Sequence, residues 1–447
     1  MLLEKKGYSY NDLTIIPSQI SNINSRSECN PFVNEIDNYL PIFASPMASV
    51  VSENNMDVFV KNGIIPILPR NINIETRIKL MNEQHWVALS LNEFNDLFVN
   101  NYLDRIDDFR THYFICVDIA NGHMKSLYDK CKNAKILAKT NNYKLTIMTG
   151  NIANPETYRW ICDNCYIKNE NSQYECCIDY IRIGIGGGCG CITTSNVSAH
   201  YPQASLINEC YTIKKELSYI DLYEDNPYNR YGKYVNLPKI VADGGIRNYD
   251  HVIKALALGA DYVMIGSLFA QCIESAGEKT TKSLSQKTSL RFPIERYKDF
   301  YKDEKGNWWG YYTEEFINHS LKPWQASVDD AIKRYTPNHK FIFEAKEKYE
   351  NKLKELKEEK YIECIDVKFF GMASADGQKS IDGEKRKTAE GITKWLPVKY
   401  TLKGWVDNMV SYLRSAMSYT NCQTLNEFIG KPELIINSIS EIHSVNK

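Results

Sequence analysis

The chain has 447 residues, of which 43% are hydrophobic and 24% are charged, and its formal net charge at pH 7 is −1. That length provides one large domain or two, and so small a charge gives no electrostatic reason to expect nucleic acid or a membrane surface as a partner. No apolar run reaches the roughly 18 residues of a membrane-spanning helix, and the N-terminus becomes charged too early for a secretion signal. We interpret the 13 cysteines as mostly reduced thiols of a cytoplasmic protein.

Eight short apolar runs follow one another, and most of them end in Gly, Pro, Asn or Asp. Continuous apolar runs are typical of strands that a parallel sheet buries on both faces. Helix-like stretches such as residues 249–260 lie between several of them. The pattern predicts an α/β fold, a (β/α)8 TIM barrel, with a doubly wound open sheet as the alternative. The runs span residues 41–47, 64–70, 85–91, 113–122, 145–151, 180–188, 239–245 and 261–266.

The fourth run ends in polar residues. Its last five residues are DIANG (118–122), with Asp118 and Asn121 at the end of the predicted strand. Reactive groups of a barrel lie at these carboxyl ends, but a lone aspartate there can equally cap a helix.

Four cysteines precede the sixth run. Residues 162–165 read CDNC and residues 176–177 read CC. Cys162, Cys165, Cys176 and Cys177 are enough for a zinc knuckle, but adjacent cysteines rarely ligate one ion together. Incidental thiols on a helix–strand connection are the favoured interpretation.

The sixth run ends in a glycine-rich loop, with five glycines and two cysteines in the eight residues from Gly184 to Cys191. Glycines allow tight turns and let backbone amides and carbonyls converge on an ion or a phosphate. A thiol near backbone N–H groups at the end of such a loop is favoured as a nucleophilic thiolate. A glycine turn beside a buried structural cysteine is the alternative.

The seventh and eighth runs end in candidate phosphate-binding turns. Asp243 can accept hydrogen bonds from a sugar diol, and the amides of the following Gly244 and Gly245 can face a phosphate. Gly266 and Ser267 end the eighth run, and the loops after strands seven and eight of barrels often bind phosphate. Ordinary turn chemistry is the alternative.

Residues 279–367 are more charged and aromatic than the rest. The Lys/Glu-rich tract 344–360 predicts an exposed helix supported by ion pairs between residues four apart, and three tryptophans can build a small apolar core. We therefore predict a partly helical subdomain, 279–367, inserted into a barrel domain formed by 1–278 and 368–447. After it, Glu390 lies in a charged loop, where it can act as a general acid or simply be solvated.

Together these motifs resemble the family of IMP dehydrogenases and GMP reductases, whose glycine loop ends in Cys-x-Thr as at 191–193. The other similar stretches are YNDLTIIP (10–17), NSRSEC (24–29), SPM (45–47), ADGG (242–245) and FFGMAS (369–374). Three stretches resemble the reductases in particular: DIANG (118–122), YPQASLINEC (201–210) and the flap GEKRKTAEG (383–391). The dehydrogenase flap carries an Arg-Tyr pair, whereas Arg386 has no neighbouring Tyr.

The resemblance covers residues 1–278 and 368–435 and does not extend to 279–367. The glycine loop departs from the family in three places. Gly187 replaces a common Pro, Cys189 replaces a small polar residue, and Ser195 replaces a basic residue.

The resemblance implies NADPH-dependent reductive deamination of GMP to IMP and ammonia. Cys191 would attack C2 of the purine. Thr193 would act with Glu390, which is on a mobile flap near the C-terminus, to protonate the leaving amine. The implied nucleotide contacts are Ser45, Met47, Asp243, Gly244, Gly245, Gly266, Ser267, Gly371, Met372 and Ser374. The implied nicotinamide contacts are Asp118, Ala120, Asn121 and Gly122.

The family also implies a monovalent cation, such as potassium, held by carbonyls of Gly186, Gly188 and Cys191, and a homo-oligomer, either a tetramer or an octamer. Two other functions are kept beside this one: an IMP dehydrogenase that uses NAD and water, and a catalytically inactive regulator that binds purine nucleotides. The flap with Glu390 and without Arg-Tyr favours the reductase. No residue that reads the 2′-phosphate of NADPH is identifiable, so the sequence does not distinguish NADPH from NADH.

Overall fold

The protein is described by a computed structural model that covers residues 5–33, 38–100, 112–168, 174–188, 193–220, 234–282, 291–294, 297–362, 364–382 and 391–437. The strands are, in chain order, β1 (Leu13–Ile15), β2 (Ile42–Ala44), β3 (Ile65–Leu68), β4 (Trp86–Leu89), β5 (His112–Asp118), β6 (Lys144–Ile152), β7 (Tyr166–Lys168), β8 (Tyr174–Cys176), β9 (Tyr180–Ile183), β10 (Tyr234–Val235), β11 (Lys239–Asp243), β12 (Tyr262–Ile265), β13 (Lys279–Lys282), β14 (Arg291–Pro293), β15 (Tyr297–Lys302), β16 (Trp308–Tyr312), β17 (Lys360–Ile362), β18 (Cys364–Phe370), β19 (Thr393–Pro397) and β20 (Leu434–Ile436).

The α-helices are α1 (Met56–Lys61), α2 (Ile74–Asn82), α3 (Leu91–Phe98), α4 (Lys125–Thr140), α5 (Pro155–Asn164), α6 (Thr193–Val197), α7 (Gln203–Ile220), α8 (Tyr249–Ala257), α9 (Ser267–Ala270), α10 (Glu314–Arg334), α11 (Lys340–Lys357), α12 (Ala375–Asp382), α13 (Leu402–Tyr419) and α14 (Leu425–Phe428). Within the part of the chain that the structure covers, none of these helices combines the length and the apolar character needed to cross a bilayer.

Eight parallel strands close into a barrel in the order β2, β3, β4, β5, β6, β9, β11, β12. They coincide with the eight apolar runs of the sequence, and helices α1 to α5, α7 and α8 lie between successive barrel strands. The predicted (β/α)8 barrel is therefore confirmed, and the open-sheet alternative is wrong because β12 pairs with β2.

Side chains of the barrel strands alternate between the interior and the surrounding helices. Cys116 of β5, Tyr180 of β9 and Val241 of β11 belong to an apolar cluster inside the barrel. The next interior positions, two residues further along these three strands, are Asp118, Arg182 and Asp243. The interior is thus apolar in its lower layers and charged at its carboxyl-terminal mouth, where barrels carry their active sites.

The segment 279–367 begins and ends in neighbouring antiparallel strands. Lys279 of β13 lies opposite Val367 of β18, and these strands form one sheet with β14 and β19. Beyond them, β15, β16 and β17 form a second sheet, and α10 packs against α11. The predicted helix 344–360 corresponds to α11, whereas the strands of this segment were not predicted from its charged sequence. The division into two domains stays a prediction.

Candidate active site

A cleft with two lobes opens at the carboxyl-terminal mouth of the barrel. The first lobe has a volume of about 210 Å³ and the second about 560 Å³. The lobes are joined, because both are lined by Asp118, Arg182, Gly187, Gly188, Asp243, Gly244, Met372 and Ala373.

The first lobe gathers nine of the ten residues that the resemblance assigned to the nucleotide. They come from the ends of three barrel strands, β2, β11 and β12, and from the segment after β18, and they are Ser45, Met47, Asp243, Gly244, Gly245, Gly266, Ser267, Gly371 and Met372. Ser374 is buried and lines neither lobe; its hydroxyl accepts a hydrogen bond from the N–H of Gly377 in α12 at 3.1 Å. Ser374 therefore supports the helix after the site.

The second lobe contains two of the four residues assigned to the nicotinamide, Asp118 and Ala120. Asn121 and Gly122 line neither lobe. Asn121 accepts a hydrogen bond from the N–H of His123 at 3.1 Å, and the N–H of Gly122 donates to the carbonyl of Asn151 at 2.9 Å. These two residues therefore hold the Asp118 loop in place.

Arg182 connects the two lobes. Its Nη1 donates to Oδ1 of Asp118 at 2.7 Å, and its Nε donates to Oδ2 of Asp243 at 2.9 Å. Only 8% of the side chain is exposed. Burial alone would lower the pKa of Arg182, but the Asp243 carboxylate, the Cys116 sulfur and the Asp118 carboxylate together raise this pKa well above its ordinary value. The guanidinium is therefore a permanent positive charge between two carboxylates.

Asp243 keeps one carboxylate oxygen for a ligand. Its Oδ2 accepts from Arg182 and also from Nδ2 of Asn151 at 2.7 Å, whereas no described residue donates to its Oδ1. Asn151 donates its second amide hydrogen to the carbonyl of Gly184 at 2.9 Å. The same amide thus fixes the carboxylate and the start of the glycine loop, and Oδ1 of Asp243 is the oxygen that can accept a sugar hydroxyl.

The glycine loop packs directly against the turn after β11. Gly184 has φ of +127°, and a Cβ at this position would overlap the carbonyl oxygen of Asp243. The N–H of Gly245 donates to the carbonyl of Gly187 at 3.0 Å. Glycine is required at 184 because of both its positive φ and this close backbone approach.

The N-terminal segment supports the turn at 244–245 from behind. The two ring nitrogens of His251 lie 2.9 Å from the carbonyl oxygen of Gly245 and 2.9 Å from Oδ1 of Asn11. The ring of Tyr10 packs 5.1 Å from the His251 ring. Burial is the main cause that lowers the pKa of His251, which favours the neutral form of the ring. The sequence stretch around Tyr10 therefore positions the site without lining it.

The three predicted catalytic residues are not placed by the structure. Cys191 and Glu390 lie outside the described residues, and only the backbone of Thr193, which begins α6, is described. Two residues that precede the undescribed segments reach the cleft: Gly188, three positions before Cys191, lines both lobes, and Ile381, nine positions before Glu390, lines the second.

Seven polar residues of the cleft were missed by sequence reasoning: Arg70, Ser90, Asn92, Asn151, Arg182, Arg247 and Gln378. Arg182 had a signal, because a charged side chain inside the apolar run YIRIG must find buried partners. Arg247 is an exposed guanidinium of the first lobe, next to the turn assigned to phosphate. Its signal was its place four residues after Asp243.

The cysteines of the CDNC and CC stretches surround the hairpin of β7 and β8. Cys162, Cys165, Cys176 and Cys177 are all buried, and the N–H of Cys177 donates to the carbonyl of Cys165 at 2.8 Å. Across the described ranges, no group of three or more His, Cys, Asp or Glu side chains has a metal-binding arrangement.

Comparisons with known proteins agree with this geometry. The family model described as IMP dehydrogenase / GMP reductase domain matches residues 7–291. A protein named GMP reductase from Staphylococcus epidermidis is 30% identical over 285 residues, covering 61% of this chain and 74% of that protein. Proteins of the same name from Streptococcus equi subsp. equi and from an Exiguobacterium species are 29% and 27% identical over 283 residues, covering 61% of this chain and 72% and 73% of theirs.

Proposed function

The chain belongs to the IMP dehydrogenase and GMP reductase family, and from this premise we propose that it converts GMP to IMP and ammonia with NADPH as the hydride donor. The observation that carries the proposal is the contact of Arg182 with both Asp243 and Asp118. Asp243 is the assigned ribose acceptor of the first lobe, and Asp118 the assigned neighbour of the nicotinamide in the second. One buried side chain therefore sets the positions of two ligands that must meet.

The first lobe suits a purine nucleoside monophosphate. Oδ1 of Asp243 would accept a ribose hydroxyl, while the amides of Gly244, Gly266 and Ser267 and the exposed Arg247 would face the phosphate. Backbone amides at strand ends and a guanidinium together favour a dianion. Met47 and Met372 supply the apolar surface for the base.

The second lobe suits the reduced nicotinamide. It is the larger of the two, it opens directly from the first, and it is lined by Asp118, Ala120 and Ile381 among others. NADPH bound there supplies a hydride. The Asp118 loop, held by Arg182 and Arg70, would orient the nicotinamide face toward the first lobe.

In the proposed reaction, the Cys191 thiolate forms a bond to C2 of GMP. The bond from C2 to the exocyclic amine breaks, and Thr193 with Glu390 delivers the proton that lets the amine leave as ammonia. The hydride then adds to C2, and the C2–sulfur bond breaks, which returns the Cys191 thiolate and releases IMP. The division into two steps is the gain from nucleophilic catalysis.

We extend the proposal to a monovalent cation, potassium, at the glycine loop. The carbonyl oxygens of Gly186 and Gly188 accept no hydrogen bond from a described residue, so they are available as hard oxygen ligands, together with the carbonyl of Cys191. Titrating potassium into enzyme freed of monovalent cations should raise turnover. Equal rates at all potassium concentrations would remove the cation from the proposal.

We also propose a homo-oligomer, a tetramer or an octamer, in which the segment 279–367 shapes assembly. The described residues of 279–362 line neither lobe, which favours assembly over a direct role in covering the cofactor. Replacing 279–367 by a short Gly/Ser linker should change the mass measured by light scattering. An unchanged oligomer with unchanged Michaelis constants and unchanged response to purine nucleotides would leave this segment without such a role.

The activity is tested by following the loss of NADPH absorbance with GMP present, and the appearance of NADH absorbance with NAD and IMP present. We expect consumption of NADPH that depends on GMP, with ammonia and IMP formed in equal amounts. Reduction of NAD by IMP without the first reaction would assign a dehydrogenase. Tight binding of GMP without either reaction would assign the nucleotide-binding regulator.

A further inference from the structure

Arg70 is a cation of the second lobe with unused hydrogen-bond donors. It follows β3 and lines the lobe, with 23% of its side chain exposed. Its Nη1 donates to the carbonyl oxygen of Asp118 at 3.1 Å. Its Nε is buried and has no hydrogen-bond partner among the described residues. Of the three guanidinium nitrogens, only Nη1 has a hydrogen bond to the described part of the protein.

The neighbouring carboxylates are hydrogen-bonded by Arg182 and leave donors of Arg70 unused. Oδ1 of Asp118 accepts a hydrogen bond from Nη1 of Arg182 at 2.7 Å, whereas Nη1 of Arg70 lies 3.8 Å from Oδ2 of Asp118. Arg182 is also bonded to Asp243, so its guanidinium joins two carboxylates, and the charge of Arg70 balances the group. No other carboxylate lines the second lobe among the described residues. Arg70 therefore keeps guanidinium donors that no described residue uses, and a guanidinium with free donors favours phosphate oxygens.

We propose that Arg70 binds the diphosphate of the dinucleotide cofactor, an inference that rests on the proposed function. Asp118 is the assigned neighbour of the nicotinamide, and Arg70 is in contact with Asp118. In a dinucleotide the diphosphate is joined to the nicotinamide ribose, whereas the 2′-phosphate of NADPH is on the distant adenosine ribose. A guanidinium beside Asp118 is thus placed for the diphosphate, which NADPH and NADH share.

The experiment measures equilibrium binding, by quenching of protein fluorescence, of NADPH, NADH and reduced nicotinamide riboside, which lacks phosphate. The wild type is compared with Arg70→Gln and Arg70→Lys. Arg159→Gln is the matched control, because Arg159 is on the outer helix α5 and pairs with Glu216 at 2.6 Å. GMP affinity is measured for each variant to verify folding.

Arg70→Gln should weaken NADPH and NADH by the same factor, about 10- to 100-fold, and leave the riboside and GMP unchanged. Arg70→Lys should recover part of the loss, and inorganic pyrophosphate should displace NADH from the wild type but not from Arg70→Gln. A loss confined to NADPH would make Arg70 a reader of the 2′-phosphate, and an equal loss for all three would make it a support of the Asp118 loop. Either result, or no loss, overturns the inference. A wild type that binds none of the three would instead count against the proposed function.

Discussion

Replacing Arg182 by Gln should destabilise the protein strongly, because it removes the shared partner of two carboxylates. Breaking a buried ion pair by deleting one member costs about 3–5 kcal/mol. Here the two carboxylates are 16% and 15% exposed, and each keeps a second partner, Arg70 for Asp118 and Asn151 for Asp243. We therefore expect a loss of about 2–4 kcal/mol in the free energy of unfolding.

A double-mutant cycle with Asp118→Asn tests the cause. If the loss comes from an uncompensated carboxylate, neutralising Asp118 in the Arg182→Gln protein should restore part of the stability. The loss in the free energy of unfolding of the double variant should then be smaller than the sum of the two single losses by about 1 kcal/mol or more.

The assay is urea unfolding followed by tryptophan fluorescence and by circular dichroism. Arg159→Gln serves as the control, since its partner Glu216 is half exposed and such surface pairs contribute about 0–1 kcal/mol. Additive losses in the cycle, or an Arg182→Gln protein as stable as the control, would refute the view that the two carboxylates depend on this guanidinium.

Four further outcomes are expected. Cys191→Ser should abolish turnover and keep GMP binding by calorimetry; undiminished turnover would exclude the covalent adduct. Glu390→Gln should slow single-turnover ammonia release by about 10²- to 10⁴-fold with little change in GMP affinity, and an unchanged rate would make Glu390 a solvated carboxylate. Gly184→Ala should reduce GMP affinity, because its Cβ would push Asp243 away, which a normal affinity would contradict. Burial lowers the pKa of His251 from 6.5, so as the pH falls below 6.5 this residue is protonated in the unfolded chain before it is protonated in the folded protein. The free energy of unfolding should therefore decrease below pH 6.5, by at most about 1.4 kcal/mol per pH unit for this residue. His251→Gln should reduce this decrease, as measured by urea unfolding at several pH values, and an identical slope would show that this ring does not contribute.

The barrel was predictable because its strands are buried on both faces. Burial on both faces demands continuous apolar runs, and each run from 41–47 to 261–266 overlaps one barrel strand. The strands of the segment 279–367 have no such signal. Four of the six residues of β15, YKDFYK, are exposed and the other two are half-buried. A charged aromatic sequence of that kind does not distinguish a strand from a loop.

The site was predictable only where a residue type has its own local signature. The glycine-rich stretches 184–188 and 244–245 indicate a close approach of the backbone, and the structure shows the two turns hydrogen-bonded to each other. Ser374, Asn121 and Gly122 follow the same family motifs, yet they support neighbouring backbone and do not line the cleft. A motif specifies which residues occur together, but local hydrogen bonds decide which of them face the ligand.

The link between the lobes depends on barrel closure, which no single stretch of sequence records. Arg182 lies 64 positions from Asp118 and 61 from Asp243. These residues meet because β9 is adjacent to β11 and separated from β5 only by β6, and because alternation directs all three side chains to the interior at the same level. A buried arginine needs charged hydrogen-bonding partners, and the carboxylates at the ends of β5 and β11 supply them. The arginine of YIRIG therefore connects the two lobes of the cleft through Asp118 and Asp243.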